Sequence, residues 1–289
     1  MRKRSLLIII LLCSCHSNKE NQYFENIKDN DVALSKPVEG EWLFDHKEKG
    51  QSFEGFMKSK HAIPTVAANI IYIKPIGNFD ALQIKQIALV RKYLEIYFQL
   101  KTKVSESISN DIIPDHARRI GNENQEQFLA GYILDSVLKK EKTLNRIALM
   151  GLTEIDLYPK PEWNFVFGLA SYVDKVGVSS IYRLQDEKLT EANFNLCLSR
   201  LLKICSHEIG HMFGLHHCVE VNCVMNGTNS LSETDRNSIR LCSVCQKKLN
   251  SGIKYDNKKR LTGLANYFKS NNLTEELQLM ENDLVSIKY

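Results

Sequence analysis

Three imidazoles and a carboxylate fall at fixed spacing within eleven positions of this chain, His207-Glu208-x-x-His211-x-x-Gly214-x-x-His217, with a fourth imidazole at His216. On a helix, residues four apart share a face, so His207 and His211 can grip one metal ion. Glu208, one position round the helix, reaches a water on that metal. Gly214 can take a positive φ and end the helix, so the chain turns back and brings in His217 as third ligand. Three neutral imidazoles leave one position of a zinc ion open, as catalytic zinc requires. Such an ion activates water and polarises a carbonyl. Glu208 then serves as general base, taking a proton from the water and passing it to a leaving amine. Peptide-bond hydrolysis is the reaction this set suits best. His216 is out of step with the three-residue spacing from Gly214, which leaves it a neighbouring or exposed group. A helix that merely carried surface histidines would need neither the turning glycine nor the third imidazole in register.

Four cysteines follow closely, as C-x4-C (Cys218, Cys223) and C-x2-C (Cys242, Cys245). Two close pairs can close a thiolate tetrahedron around a structural zinc. That second zinc would pin the segment carrying His217 to the body of the domain. Two disulfides are the rival reading, favoured in an exported protein, with Cys242–Cys245 as a tight loop. Cys197 and Cys205 lie instead on an apolar helical stripe and are expected as buried hydrophobes.

H-E-x-x-H-x-x-G-x-x-H followed at once by Cys, then C-x-M-N and C-x-x-C, resembles the archaemetzincin family of zinc metallopeptidases. Gly40-Glu41-Trp42-Leu43, Asp156-Leu157-Tyr158 and Asn164-Phe165-Val166-Phe167-Gly168 resemble that family too, its eukaryotic branch in particular. The similarity spans about residues 40–250. It implies a metzincin-like domain with catalytic zinc on His207, His211 and His217, Glu208 as general base, and structural zinc on the four cysteines: two zinc ions per chain. It also implies that Met225 is the methionine of a turn beneath the zinc, supporting the imidazoles by packing, not ligation.

The elements that must position these groups are legible in outline. The histidine motif ends a helix opened by Thr190, with an apolar stripe of Phe194, Cys197, Leu198, Leu201, Ile204, Cys205 and Met212. Upstream, 69–73 reads as a strand, Asp80 caps a helix to about Phe98, and a short strand follows at 99–104. Residues 124–140 carry a helical pattern. A long buried strand is expected over 146–158 and two shorter ones over 164–168 and 176–184, joined by a turn near Asp174. Helical patterns at 261–268 and 274–287 close the chain. This order fits an α/β fold in which a mixed, twisted sheet packs on helices, one of them carrying the HExxH motif.

The 289 residues carry 38 Lys+Arg against 34 Asp+Glu, and Arg2, Lys3 and Arg4 account for nearly all of the +4 excess. The remaining body, at +1, argues against an electrostatic nucleic-acid binder. Arg2-Lys3-Arg4 followed by an apolar run to Leu12 forms an export signal, too short to span a bilayer as a mature helix. It ends in Leu12-Cys13-Ser14-Cys15, similar to the bacterial lipobox, in which Cys15 becomes the lipid-modified mature N-terminus. A soluble secreted protein, or a cytosolic one with an apolar start, is the alternative. The expected organisation is a signal peptide over 1–14, a polar linker over 15–39, a catalytic domain with a four-Cys element over 40–255, and a C-terminal helical extension over 256–289. The chain is accordingly expected to be a zinc metallopeptidase of the cell envelope, tethered to the membrane through Cys15 and acting on peptide or protein substrates. The competing class is a non-catalytic, zinc-stabilised binding module, against which the carboxylate of Glu208 speaks.

Overall fold

A computed structural model describes residues 21–185 and 188–287; Cys15 and the export signal lie outside the described residues. Eight strands are present among the described residues: β1 (Ile70–Ile76), β2 (Lys101–Val104), β3 (Arg118–Ile120), β4 (Glu126–Leu129), β5 (Arg146–Thr153), β6 (Asp156–Tyr158), β7 (Gly168–Ser171) and β8 (Val176–Ser180). Five of them form one mixed sheet, ordered β2-β1-β5-β8-β7. All its pairings are parallel except β7 with β8, so β7 is an antiparallel edge strand. β3, β4 and β6 form a second sheet.

β1 is buried at all seven positions because both faces of the large sheet are covered. Ile71 and Ile73 join the main core, whereas Ile70, Tyr72 and Ile76 face a second cluster that includes Phe128, Ile133 and Leu157. Five longer helices surround this framework: α1 (Ala81–Phe98), α2 (Phe194–Met212), α3 (Ser243–Ile253), α4 (Asn257–Ser270) and α5 (Thr274–Ser286). Asp80 caps α1 with a full capping box, its side chain accepting from Gln83 N while Gln83 Oε1 accepts from Asp80 N. The apolar stripe expected on α2 is buried at every position named, Cys197 and Cys205 included. Gly177 on β8 lets α2 approach closely, since a Cβ there would stand 2.5 Å from Met212 Cε.

The structure corrects several expectations. Within 124–140, residues Glu126–Leu129 form β4, and helix begins only at Ala130. Gln125 and Gln127, two apart as a strand requires, both donate to the buried Asp156 carboxylate, and β4 pairs on both sides. The expected strand 146–158 is two strands in different sheets. It breaks at Glu154, whose carboxylate turns aside to accept from Asn78 N and Asn110 Nδ2. Residues 164–167 run irregularly because Arg119 holds the Trp163 and Asn164 carbonyls, and β7 starts at Gly168. β8 ends at Ser180, short of the expected 184, and a helical turn takes over at Tyr182–Leu184. Thr190 belongs to a turn in front of α2, bonded to Asn193, which is the N-cap.

The expected polar linker over 15–39 is also different where it is described. Residues 21–26 are helical, and Tyr23, Phe24 and Ile27 enter the main core, a single helical face hidden in a polar window. Arg240, 4% exposed, fastens this segment to the far end of the chain: it pairs with Asp31 at 2.6 Å and with Asp283 of α5 at 2.8 Å. The last two helices are part of the same body, for Arg260 donates to Tyr97 O and Tyr267 to Leu89 O on α1.

Candidate active site

α2 ends where the sequence says it must. Gly214 has φ +95°, Leu215 N donates to Gly210 O and Gly214 N to His211 O, a Schellman turn. The turn carries the chain back so that nitrogens of His207, His211 and His217 all lie within 4.8 Å of one another.

Each imidazole has its own partner on Nδ1. His207 Nδ1 lies 2.8 Å from Val224 O, and His211 Nδ1 lies 2.7 Å from Leu215 O, the carbonyl delivered by the turn itself. Carbonyls only accept, so both Nδ1 atoms carry the proton and both Nε2 atoms are bare. The Tyr172 hydroxyl, 2.7 Å away, shares the His211 Nδ1 proton. His217 Nδ1 meets the Glu48 carboxylate, 2.9 Å from each oxygen. Burial, together with His217 beside it, lowers His207 to about 3, and burial with His207 holds His211 well below the ordinary histidine range. Both rings are therefore neutral at pH 7, yet their Nε2 atoms face each other at 2.9 Å. Two lone pairs so opposed repel unless a cation stands between them, so this donor set fits a metal ion.

Glu208 is 6% exposed, and burial pushes its carboxyl up to about 8. A cation beside it would favour the ionised form again. Gly168, the first residue of edge strand β7, gives it room: a Cβ there would lie 2.6 Å from Glu208 Oε1. Met225 is fully buried, with its sulfur against Gly210 of α2, where a Cβ would come within 2.6 Å of it. His216 is exposed, its ring edge-on to Tyr172.

The sulfurs of Cys218, Cys223, Cys242 and Cys245 also lie within 4.8 Å of one another. Cys218 and Cys242 are 3.8 Å apart, far from a bonded disulfide, and all four are free thiols. Four sulfurs each about 2.3 Å from a central zinc would stand about 3.8 Å apart, which matches. Backbone N–H groups of Met225 and Cys242 point at Cys223 Sγ, and that of Cys245 at Cys242 Sγ, as thiolates favour. Hydrogen bonds from the other three cysteines hold Cys218 far below the ordinary thiol range. No two of the four sulfurs are joined as a disulfide.

A cleft of about 890 Å³ runs past the histidines, lined by β7 on one side and by Trp42, His46 and Trp163 on another. His46 stacks on Trp163 at 5.4 Å, and Trp42 packs on His46 at 4.2 Å. Glu48, Tyr172 and Gly168 were not singled out by chemical reasoning on the sequence. Trp42 and Gly168 carried a signal only as parts of stretches resembling a known family.

A helix bearing two histidines and a buried glutamate, with a third histidine brought in by the turn that follows it, set under the edge strand of a mixed sheet, defines a zinc metallopeptidase. Residues 85–251 match the model of Peptidase family M54. The chain is 32% identical over 278 residues to Archaemetzincin-2 of Rattus norvegicus, covering 86% of this chain and 77% of that protein. It is 34% identical over 184 residues to the archaemetzincin of Thermococcus kodakarensis, covering 62% of this chain and 95% of that protein. The crystal structure of archaemetzincin from Methanopyrus kandleri superposes with a TM-score of 0.54 at 31% identity, covering 66% of this chain and 99% of the archaeal one. This chain belongs to the archaemetzincins, Peptidase family M54. The expected fold class and metallopeptidase activity hold, and the binding-module alternative is not supported.

Proposed function

We propose that His207, His211 and His217 hold the catalytic zinc through Nε2, that Glu208 is the general base, and that Cys218, Cys223, Cys242 and Cys245 hold a second, structural zinc. The opposed Nε2 atoms of His207 and His211, 2.9 Å apart with both Nδ1 protons committed to carbonyls, carry this reading. When bound there, zinc supplies a Lewis acid that acidifies water and polarises the scissile carbonyl. Glu208 takes a proton at its carboxylate from the attacking water and returns it to the leaving amine. Its burial excludes competing solvent, and Gly168 leaves the carboxylate free to face the reacting atoms. Met225 forms the apolar floor that keeps the imidazoles from tilting.

A peptide is the substrate the cleft suits. β7 has no strand partner on its outer side among the described residues, so an extended peptide can add to that edge by main-chain hydrogen bonds. Trp42 and Trp163 offer broad apolar faces for its side chains. The lipobox-like sequence at Cys15 supports a lipid-anchored envelope enzyme. No helix among the described residues is long and apolar enough to cross a membrane. Metal analysis of purified protein, paired with mass-spectrometric profiling of a mixed peptide library, tests the reading. It predicts two zinc ions per chain and cleavage that chelator abolishes and zinc restores. Failure to cleave any peptide with both ions bound would overturn the catalytic assignment.

A further inference from the structure

His207 and His211 stand on a regular helix, but His217 stands on a stretch without regular structure. Its orientation therefore depends on what its side chain touches. Residues 41–52, which have only the short helical turn Trp42–Asp45, line part of the cleft through Trp42, Asp45 and His46 and meet the chain around His217 repeatedly. Gln51 brackets the turn, donating through Nε2 to Gly214 O at 3.0 Å and accepting at Oε1 from His216 N at 3.3 Å. Lys248 of α3 donates to Gln51 O and holds the strap from below. Glu48 takes the His217 Nδ1 proton between two oxygens, each 2.9 Å away. Trp42 Nε1 donates to the same carboxylate at 3.2 Å, while its ring stands edge-on to His217 at 5.1 Å. Trp42 is itself anchored, its backbone N donating to Glu233 Oε1 at 2.9 Å.

These contacts form a directed chain, with Trp42 and His217 both donating to Glu48. A carboxylate only accepts, so it fixes the Nδ1–H tautomer of His217 and leaves Nε2 bare toward the other two rings. Among the described residues it is also the only charged acceptor on an Nδ1 of the three imidazoles, the other partners being carbonyls and a hydroxyl. A charged acceptor raises the basicity of a ligating imidazole more than a neutral one does.

We infer that Glu48 is the positioning residue of the third histidine, and that the strap 41–52, upstream of the residues 85–251 matched by the family model, completes the metal centre of this chain. The inference rests on the histidine-zinc reading above. Trp42 links the strap to substrate, because its N–H holds Glu48 while its ring lines the cleft.

The test is zinc affinity of the full chain, measured by competition with a chromophoric chelator, for wild type, Glu48→Ala, Glu48→Gln and Trp42→Phe. Glu48→Ala is expected to weaken the more labile ion by about 10- to 100-fold, the usual effect of losing a ligand's outer partner. Glu48→Gln, whose amide oxygen still accepts from Nδ1, should recover part of that loss. Trp42→Phe, which keeps a ring and loses the N–H, should show a smaller loss. The tightly held ion and the melting temperature of the metal-stripped protein should not change. Glu48→Ala binding zinc within twofold of wild type would overturn the inference, as would equal weakening of both ions together with a lowered melting temperature. A wild type that holds zinc only on its cysteines would bring down the histidine reading and the inference with it.

Discussion

Gly168→Ala tests how tightly the fold controls the base. The backbone of Gly168 lies outside the positive-φ region, so alanine adopts it without strain and only the added methyl acts. That methyl would lie 2.6 Å from Glu208 Oε1, 2.8 Å from Glu208 Cγ and 2.8 Å from Ser179 Oγ. To reach an ordinary contact of 3.4 Å the carboxylate must withdraw by about 0.8 Å. A misplacement of about 1 Å at reacting groups costs on the order of 10²-fold in rate, and general-base catalysis contributes about 10²- to 10⁴-fold. The variant should therefore lose about 30- to 100-fold in kcat, with KM and zinc content close to wild type. Overpacking should also lower stability by about 1–3 kcal/mol. Steady-state cleavage of a fluorogenic peptide, with metal analysis and a thermal melt on the same sample, measures all three. A kcat within twofold of wild type would show that Glu208 does not need the space beside β7 and would refute the reasoning.

Arg240→Met removes the cation shared by Asp31 and Asp283 and leaves both carboxylates without it, so urea titration should show a loss of about 3–5 kcal/mol. A loss under about 1 kcal/mol would mean that the N-terminal segment is not fastened there. Cys223→Ser should reduce the zinc count from two to one and lower the melting temperature, because Cys218 of the same cluster directly follows His217. Retention of two ions would contradict the four-sulfur site.

The histidine cluster was legible because its geometry is local. An i, i+4 pair, a turning glycine and a third histidine three residues on describe one helix end, and helix and turn rules alone bring the rings together. Glu48 was not legible. It lies 169 residues from His217, in a polar stretch where nothing marks one carboxylate among many. Tyr172, 39 residues from His211, is likewise an ordinary turn residue until the β7–β8 turn delivers it. The same limit explains the misread elements. β4 has a pattern a helix also satisfies, and only the buried Asp156, reached by Gln125 and Gln127 through the tertiary fold, decides for strand. Tyr23, Phe24 and Ile27 are three apolar residues in a polar run, too few to signal a helix before the surface that receives them is known. The α2 stripe, by contrast, repeats over five turns and was buried at every position named.

The most direct measurement is zinc content and kcat/KM for wild type and Glu208→Ala from matched preparations. With Glu208 as the base and the three histidines as ligands, the variant should keep the same zinc content while kcat/KM falls by at least about 10²- to 10⁴-fold. Equal cleavage by both proteins, with equal metal, would contradict the role given to Glu208 and the mechanism built on it.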